Sequence, residues 1–460
     1  MKAVAVFDVG KTNVKLIAVA PDGRPLETVS TPNPVFPGPP YSHHDLDLIE
    51  TWLIDNLRTL GARHDFEAIV TCGHGSGGVL VNDDGLAMPM IDYEQPLPPE
   101  IVAEYAEIAG SFRERGSPLM LGAAHLARQM LWLERGWPEA FAGARAYLAH
   151  PQYWSWRLSG VMASEVTSLA AQSHLWCAPD ARPARLVAEK EWQRLMPQFA
   201  PAWATLGPLK PEFAAAAGLK RGIRVLNGIH DSSANFYRYQ AAGLDDMTVV
   251  STGTWIVAIS DRQGPDFAVE QPALCCNADV LGQPLPGILV MGGREFTAVK
   301  GEAEGPASLE VLDRILDSRT MALPFFGTDD GLFPGTARSG TIEGPLAADP
   351  AIRFTLAVLY TALLTDCCLD LVETANVVLD GNFVRDPLYG RVVATLRPDR
   401  TVLASRDAYG SVAGAALLSS HEARTTPVAL DFDRPAILDD PRLPAYAAQW
   451  RQRANARRPR

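Results

Sequence analysis

The stretch Val4-Ala5-Val6-Phe7-Asp8-Val9-Gly10-Lys11-Thr12-Asn13-Val14-Lys15-Leu16-Ile17-Ala18-Val19 decides how the rest of the chain is read. Two apolar runs flank a short polar segment, and a second turn signal, Asp22-Gly23, follows. The pattern predicts strand, tight turn, strand. It puts a carboxylate at the end of a buried strand, beside a glycine, a hydroxyl and two lysines. A strand tip of this kind suits metal–phosphate chemistry: the carboxylate holds hydrated Mg²⁺ through its waters, while backbone N–H groups, Thr12 and a lysine meet phosphate oxygens. The plain alternative is an N-terminal hairpin with a polar tip. The stretch has neither Walker A spacing nor a Gly-x-Gly-x-x-Gly.

Working outward, 460 residues exceed the size at which one hydrophobic core stops growing, so two domains are expected. With 47% hydrophobic and 20% charged residues the composition is that of a globular protein. A formal net charge of -12 argues against a general nucleic-acid binder while leaving room for a local nucleotide pocket. Met1-Lys2-Ala3 runs straight into the Asp8 strand, leaving no room for a signal peptide, and no apolar run reaches the ~18 residues that span a bilayer. No membrane partner is therefore expected. The cysteines at 72, 177, 275, 276, 367 and 368 include two adjacent pairs and no Cys-x-x-Cys. They indicate neither a zinc site nor a disulfide framework, and predict a reducing cytoplasm.

The first 95 residues alternate short apolar runs with turn signals. Glu67 to Thr71 reads as a strand entering the glycine-rich Cys72-Gly73-His74-Gly75-Ser76-Gly77-Gly78. Leu46 to Leu60 has helical spacing, with Trp52, Leu53 and Leu57 on one face. Pro32 to Pro40 is too rich in proline for a helix. From about Ser117 to Trp192 the chain turns helical and tryptophan-rich, and a second α/β stretch begins at Gly222. No internal repeat is visible, and the basic tail Arg451 to Arg460 reads as a frayed, solvated end.

Ile223 to Leu226 reads as a buried strand, after which Gly228-Ile229-His230-Asp231-Ser232-Ser233 turns into a helix. Asp231 there is either functional or a plain N-cap aspartate. Met247-Thr248-Val249-Val250-Ser251-Thr252-Gly253-Thr254-Trp255-Ile256 then repeats the opening design: strand, hydroxyl-rich glycine turn, strand. Alone it is an ordinary β-turn, but two such hairpins in the two halves of one chain support a phosphate-gripping role for both.

The ordered set Asp8-x-Gly-x-Thr-Asn-x-Lys, His74-Gly75, Gly228-x-His-Asp231, Ser251-Thr-Gly-Thr-Trp255 and a late glycine turn resembles the FGGY family of carbohydrate kinases. Trp156-Arg157-Leu158-Ser159-Gly160 with Glu165-x-Thr-Ser168 is similar to that family's helix-plus-acidic-serine segment. The resemblance covers nearly the whole chain. It implies an α/β fold of two actin-like, ribonuclease-H-type ATPase domains flanking a central cleft. Residues 1–240 would bind sugar and carry Asp231, and residues 241–460 would bind nucleotide. Thr12-Asn13, Ser251 to Trp255 and Met291 to Phe296 are most similar to the kinases of 6-deoxy-ketohexoses such as L-rhamnulose and L-fuculose.

The resemblance further implies roles. Asp231 corresponds to the family's general base, Asp8 to the residue that positions Mg²⁺, and Gly10, Lys11, Thr12 and Asn13 to the first phosphate loop. Thr252, Gly253 and Thr254 correspond to the second phosphate loop, with Gly381 beside the adenosine of ATP. His74, Gly75, His230 and Asn277 fall where the family contacts its sugar. Two departures stand out. Family members carry three successive glycines at the late turn, where this chain has Gly381-Asn382-Phe383, and phenylalanine resists positive φ. Gly77 stands where fuculokinase-like members tend to carry aspartate. His74-Gly75 is similar to a motif of xylulose kinases, which keeps a pentulose open, and the altered late turn keeps open a catalytically silent nucleotide-binding protein. Sugar and ATP are the expected partners, and a homodimer is open.

Overall fold

Alternation of apolar residues drives the first sheet. In the computed structural model, which describes residues 2–262, 264–328, 331–406 and 409–459, Lys2–Val9 (β1) and Asn13–Val19 (β2) form the expected antiparallel hairpin. Pro25–Pro32 (β3) pairs antiparallel with β2. Leu46–Gly61 (α1) starts where the Asp45 side chain accepts the Leu48 N–H, an N-cap that satisfies an otherwise orphaned donor. Its Ile49, Leu53 and Leu57 pack into one apolar cluster with Phe7 and Leu16. Asp65–Gly73 (β4) lies parallel to β1. Thr205–Pro208 (β5), Arg224–Leu226 (β6) and Ile229–His230 (β7) complete the sheet in the order β5-β6-β4-β1-β2-β3, with β7 also beside β4. Asp231–Ala241 (α2) follows β7 directly.

The second sheet is built the same way. Met247–Thr252 (β8) and Ile256–Ser260 (β9) form the second hairpin, and Pro284–Val290 (β10) pairs antiparallel with β9. Gly292–Lys300 (α3) and the buried Arg353–Leu369 (α4) come before Asn376–Gly381 (β11), which is parallel to β8. Thr401–Ser405 (β12) is parallel to β11, and Phe432–Asp433 (β13) is antiparallel to β12. Six of this sheet's seven strands run β10-β9-β8-β11-β12-β13, the seventh being Leu274–Ala278. The pairing senses repeat those of β3-β2-β1-β4-β6-β5 one for one.

Contacts divide the chain into two compact units. The first comprises Met1–Gly243 with Cys276–Pro284 and Tyr409–Val428; the second comprises Leu244–Cys275, Leu285–Ala408 and Ala429–Arg460. Beyond the linear division at residue 240, two later segments therefore return to the first unit. The helix Gly410–Leu417 explains one of them: a Cβ at Gly414 would overlap the carbonyl oxygen of Ala234 on α2, so only glycine permits this backbone contact. That is the close packing its small residues predict; Asp407 and Ala408, which precede it in sequence, lie outside the described residues.

Two expectations need correction. The tail is not frayed: Arg442–Ala456 (α5) buries Trp450, whose indole N–H donates to the Ala322 carbonyl at 2.6 Å. Arg451 pairs with Asp366 and Asp370, and Arg453 with Glu343, so the basic charges are docked on carboxylates. The segment Pro350–Leu369 has the length and a hydropathy of 1.5 that would suffice to cross a bilayer. It is 83% buried inside the protein, as the core helix of a folded domain is. All six cysteines are free.

Candidate functional site

The register of the first sheet gathers residues far apart in sequence. Asp8 pairs with Lys15 on β2 and with Cys72 on β4, and His230 on β7 pairs with Gly73. Asp8, His74 and the His230–Asp231 step therefore share the carboxyl edge of the sheet, where open α/β sheets bind ligands. Gly228 lets the chain reach that edge: its φ is +86°, and a Cβ would overlap the Thr71 hydroxyl. The His230 N–H then donates to Thr167 Oγ1 at 3.1 Å, and Thr167 Oγ1 donates to the buried Glu165 carboxylate at 2.6 Å. The Glu165-x-Thr-Ser168 motif is thus an anchor for the strand that delivers Asp231.

Asp231 is the first residue of α2, and the N-cap position belongs to His230, which makes no side-chain cap bond. The N-cap alternative for Asp231 is accordingly set aside. Its carboxylate instead lies 3.2 Å from His230 Nε2 and accepts from the Ser232 hydroxyl at 3.2 Å. Its side chain is 35% exposed, open to a reactant. Asp8 is half-buried, and burial pushes its carboxyl up to about 6, with Lys15 opposing the shift and the Asp231 charge reinforcing it.

The first hairpin turn closes with the Gly10 N–H donating to the Asn13 carbonyl at 3.0 Å. Thr12 and Asn13 stand exposed at its tip. Asn33 braces the turn from behind, its amide donating to the Gly10 carbonyl at 2.8 Å and its backbone N–H to Thr12 O at 2.8 Å. Lys11 is turned back onto the buried Asp92 in an ion pair, 3.8 Å from Glu94 and 4.9 Å from the centre of the Tyr93 ring. Of the two lysines, it is Lys15 that stays in register with Asp8.

Both ring nitrogens of His74 are buried without a hydrogen-bond partner, as are both of His150, whose ring lies 5.1 Å from that of His74. Burial holds the His74 imidazole down at about 3, and hence neutral. Gly75 packs against Ala171, and a Cβ there would also lie 3.2 Å from His230 Nε2. Asn277 is buried and accepts from the Gln172 amide, and Gln172 sits at φ +54°. At Gly77, a Cβ would come within 2.9 Å of the His150 Cβ, so an aspartate there has no space without displacing His150.

In the second unit, the Thr252 hydroxyl donates to the Asp380 carbonyl at 2.6 Å and accepts the Phe383 N–H at 3.1 Å. It staples β8 to the late turn. Gly253 and the exposed Thr254 form the tip. The expected conflict at the late turn does not arise: only Gly381 has positive φ, +91°, and the chain turns helical at Asn382 (φ -71°) before Phe383–Arg385 forms a short 3₁₀ turn. Beside these turns lies a cavity of about 490 Å³ whose lining includes Gly253, Phe296, Phe354, Asn382 and Phe383.

Sequence reasoning missed Asp92, His150, Gln172 and Phe354, and named Phe296 only as the end of a family-like motif. The acidic-aromatic run Asp92-Tyr93-Glu94 carried a signal; His150, lost in a tryptophan-rich helix, did not. Among the described residues no cluster of three or more His, Cys, Asp or Glu could hold a metal ion. Asp8 nevertheless suits Mg²⁺, a hard cation that uses one or two carboxylates and takes its remaining ligands from water and phosphate.

The family model of the N-terminal domain of FGGY carbohydrate kinases matches residues 3–236, and that of the FGGY C-terminal domain matches residues 244–427. Among curated proteins, the L-fuculokinase of Escherichia coli strain K12 is 26% identical over 263 residues. That alignment covers 55% of each chain, so this chain spans about half the length of the curated relative it matches. A carbohydrate kinase structure from Novosphingobium aromaticivorans is 30% identical, with a TM-score of 0.88 over 99% of this chain and 98% of that one. A ligand-bound xylulose kinase from Lactobacillus acidophilus shares the fold at a TM-score of 0.81 and 16% identity, covering 98% of this chain and 96% of its own.

Proposed function

The chain belongs to the FGGY family of carbohydrate kinases, with its two-domain actin-like fold, and from that premise we propose that it phosphorylates a neutral ketose with ATP. The observation that carries the reading is Asp231: a partly exposed carboxylate at the carboxyl edge of the sheet, beside Asp8, that caps no helix. Asp231 would take the proton of the sugar hydroxyl as that oxygen attacks the γ-phosphorus and the bond to the β-phosphate oxygen breaks. His230 would hold the carboxylate through its ring. Thr12 and Asn13, exposed at the first tip, would meet phosphate oxygens through their side chains, with Gly10 shaping that turn. In the second unit, Thr254 would do so through its hydroxyl, with Gly253 and Gly381 shaping the turns there. Asp8 would hold Mg²⁺ through water, and the cation when bound neutralises phosphate charge.

The electrostatics support a neutral substrate. A sugar acid needs a cation, yet Lys11 is neutralised by Asp92 and His74 is held neutral by burial. A 6-deoxy-ketohexose such as L-rhamnulose or L-fuculose is the first candidate. The crowding of Gly77 by His150 favours a second reading, a pentulose such as xylulose, because it bars the aspartate of fuculokinase-like relatives. The test is ATP consumption across rhamnulose, fuculose, xylulose, ribulose and their enantiomers. One ketose should stimulate turnover well above the others. If none does while nucleotide still binds, the chain is a silent nucleotide-binding member of the family.

A further inference from the structure

We propose that Lys11, although it lies in the first phosphate loop, serves the acceptor: with Asp92 it holds a ketose hydroxyl other than the one phosphorylated. The proposal rests on the kinase reading and names a specificity-determining pair for the same site. A lysine at a glycine turn after Asp8 is placed by sequence to meet phosphate, but its Nζ is spent on the Asp92 carboxylate. The Asp92 side chain is 8% exposed, and the buried His44 stands beside it, with Nε2 3.9 Å from Asp92 Oδ1. Because the Asn33 amide nitrogen donates to the Gly10 carbonyl, Asn33 presents its Oδ1 to His44 Nδ1, at 3.0 Å. That contact puts the imidazole proton on Nδ1. His44 Nε2 is then a lone pair without a partner among the described residues, and it does nothing to neutralise Asp92. Moving Lys11 onto phosphate would strand a buried carboxylate beside that lone pair, and a buried charge that loses its partner is strongly destabilising. Lys11 therefore stays on Asp92.

The tied ammonium lies on the sugar side of the edge. Its Nζ is 4.9 Å from the centre of the Tyr93 ring, and that ring meets His74 at 5.5 Å and 66°. Both His74 ring nitrogens lack partners, and a Cβ at the next residue, Gly75, would lie 3.2 Å from His230 Nε2, which is itself 3.2 Å from Asp231. Lys11 and His230 both act against a charge on His74. A run of hydrogen-bonding groups thus leads from Asp231 to the Lys11–Asp92 pair. Neutral imidazoles each offer one donor and one acceptor, and the pair adds no net charge. Lys11 is 20% exposed, and Asp92 occupies one of its three donors. A hydroxyl can accept from Nζ while donating to the carboxylate. Hydrogen bonds to ionised groups are about twice as strong as neutral ones, and a site built to bond a hydroxyl rejects the analogue that lacks it.

Calorimetric titration of the full chain with ADP and with rhamnulose, fuculose, xylulose and ribulose tests this, alongside steady-state phosphorylation of the same ketoses. For the ketose that binds most tightly, Lys11→Met and Asp92→Asn should each weaken binding and raise KM by about 10- to 100-fold, the range for a hydrogen bond to a charged group. The kcat should stay within about threefold of the parent, as when binding common to ground and transition states is lost. Affinity for ADP and KM for ATP should not change. Should a single variant melt early, the double variant Lys11→Met/Asp92→Asn, which carries neither charge, replaces it with the same expectation. Weaker ADP binding or a raised KM for ATP, with ketose binding intact, would return Lys11 to phosphate and overturn the proposal. Binding of no ketose would overturn it as well. If a ketose is phosphorylated with a KM indifferent to these substitutions, the pair fails and the kinase reading stands. If a ketose binds through the pair and none is phosphorylated, the kinase reading fails and the pair stands.

Discussion

The hairpin of the first unit ends in charge, with Asp8 opposite Lys15 and Asp231 beyond the neighbouring strand. The hairpin of the second ends in Thr252, whose hydroxyl is spent on the Asp380 carbonyl and the Phe383 amide, with a phenylalanine-lined cavity alongside. The strand order beneath the two is the same, so the difference lies in what the tips carry. A charged edge suits proton transfer and metal–phosphate chemistry. A stapled, neutral edge suits a rigid wall against which a planar group can lie. One scaffold thus carries two different edges because backbone pairing determines where strands end and side chains determine what they offer there.

The largest effect that would break this comparison is catalytic. Asp231→Asn should lower kcat by ~10²–10⁴-fold, the range for a positioned acid or base, while ADP binding and the melting temperature change little. Near-normal turnover by the folded variant would remove the base from the charged edge. Next comes the pair of glycines ending the parallel neighbour strands. At Gly381 a Cβ would overlap the Thr252 carbonyl at positive φ, whereas at Gly73 it would sit 3.2 Å from Val9 O at ordinary φ. Gly381→Ala should cost about 1–3 kcal/mol for the backbone alone and more for the overlap, with Gly73→Ala well below it in urea unfolding. Equal losses would mean the second edge is no tighter than the first.

Asp8 gives a prediction whose sign follows from burial. Its folded carboxyl titrates at about 6, above the ordinary 3.8, so the charged form is the one that folding disfavours. Its contribution to stability is therefore best below about pH 4 and is lost as pH rises through 6. Asp8→Asn removes that penalty and should stabilise the ligand-free protein above pH 6 by up to about 3 kcal/mol, with the gain fading towards pH 4. A gain that grows on acidification would reverse the assignment. The smallest contrast is between hydroxyls. Thr252→Val removes the hydroxyl that bridges the Asp380 carbonyl and the Phe383 N–H and should cost about 1–3 kcal/mol. Thr12→Val, at an exposed tip, should stay within about 0.5 kcal/mol, as thermal melts of both would read.

Local pattern made a good share of this legible. The two hairpins, α1 and the strand running into Gly73 follow from apolar alternation and helical spacing, and the ordered motifs from Asp8 to Trp255 pointed to the family that the domain models match. Motif reading also selected Asp231 and His74, which the fold brings to one edge. It misjudged the tail, because whether Arg451 and Arg453 are solvated depends on the distant Asp366, Asp370 and Glu343.

By itself, then, the sequence determined the strand tips, since period-2 alternation and turn residues are local properties of the chain. Only tertiary structure decided what each tip group is free to do. Lys11 meets Asp92 across 81 residues, and Thr252 meets Asp380 across 128. The His74 ring lies beside that of His150, and Phe383 joins Phe296 around a cavity. Such pairings come from the crossing of elements in space, and a hydrogen bond or ring contact spends a side chain whatever its local motif suggests. The sequence showed the paired hairpins, whereas the order of the remaining strands came from the fold: strand pairing demands only apolar, extended residues, and many unrelated sequences supply them.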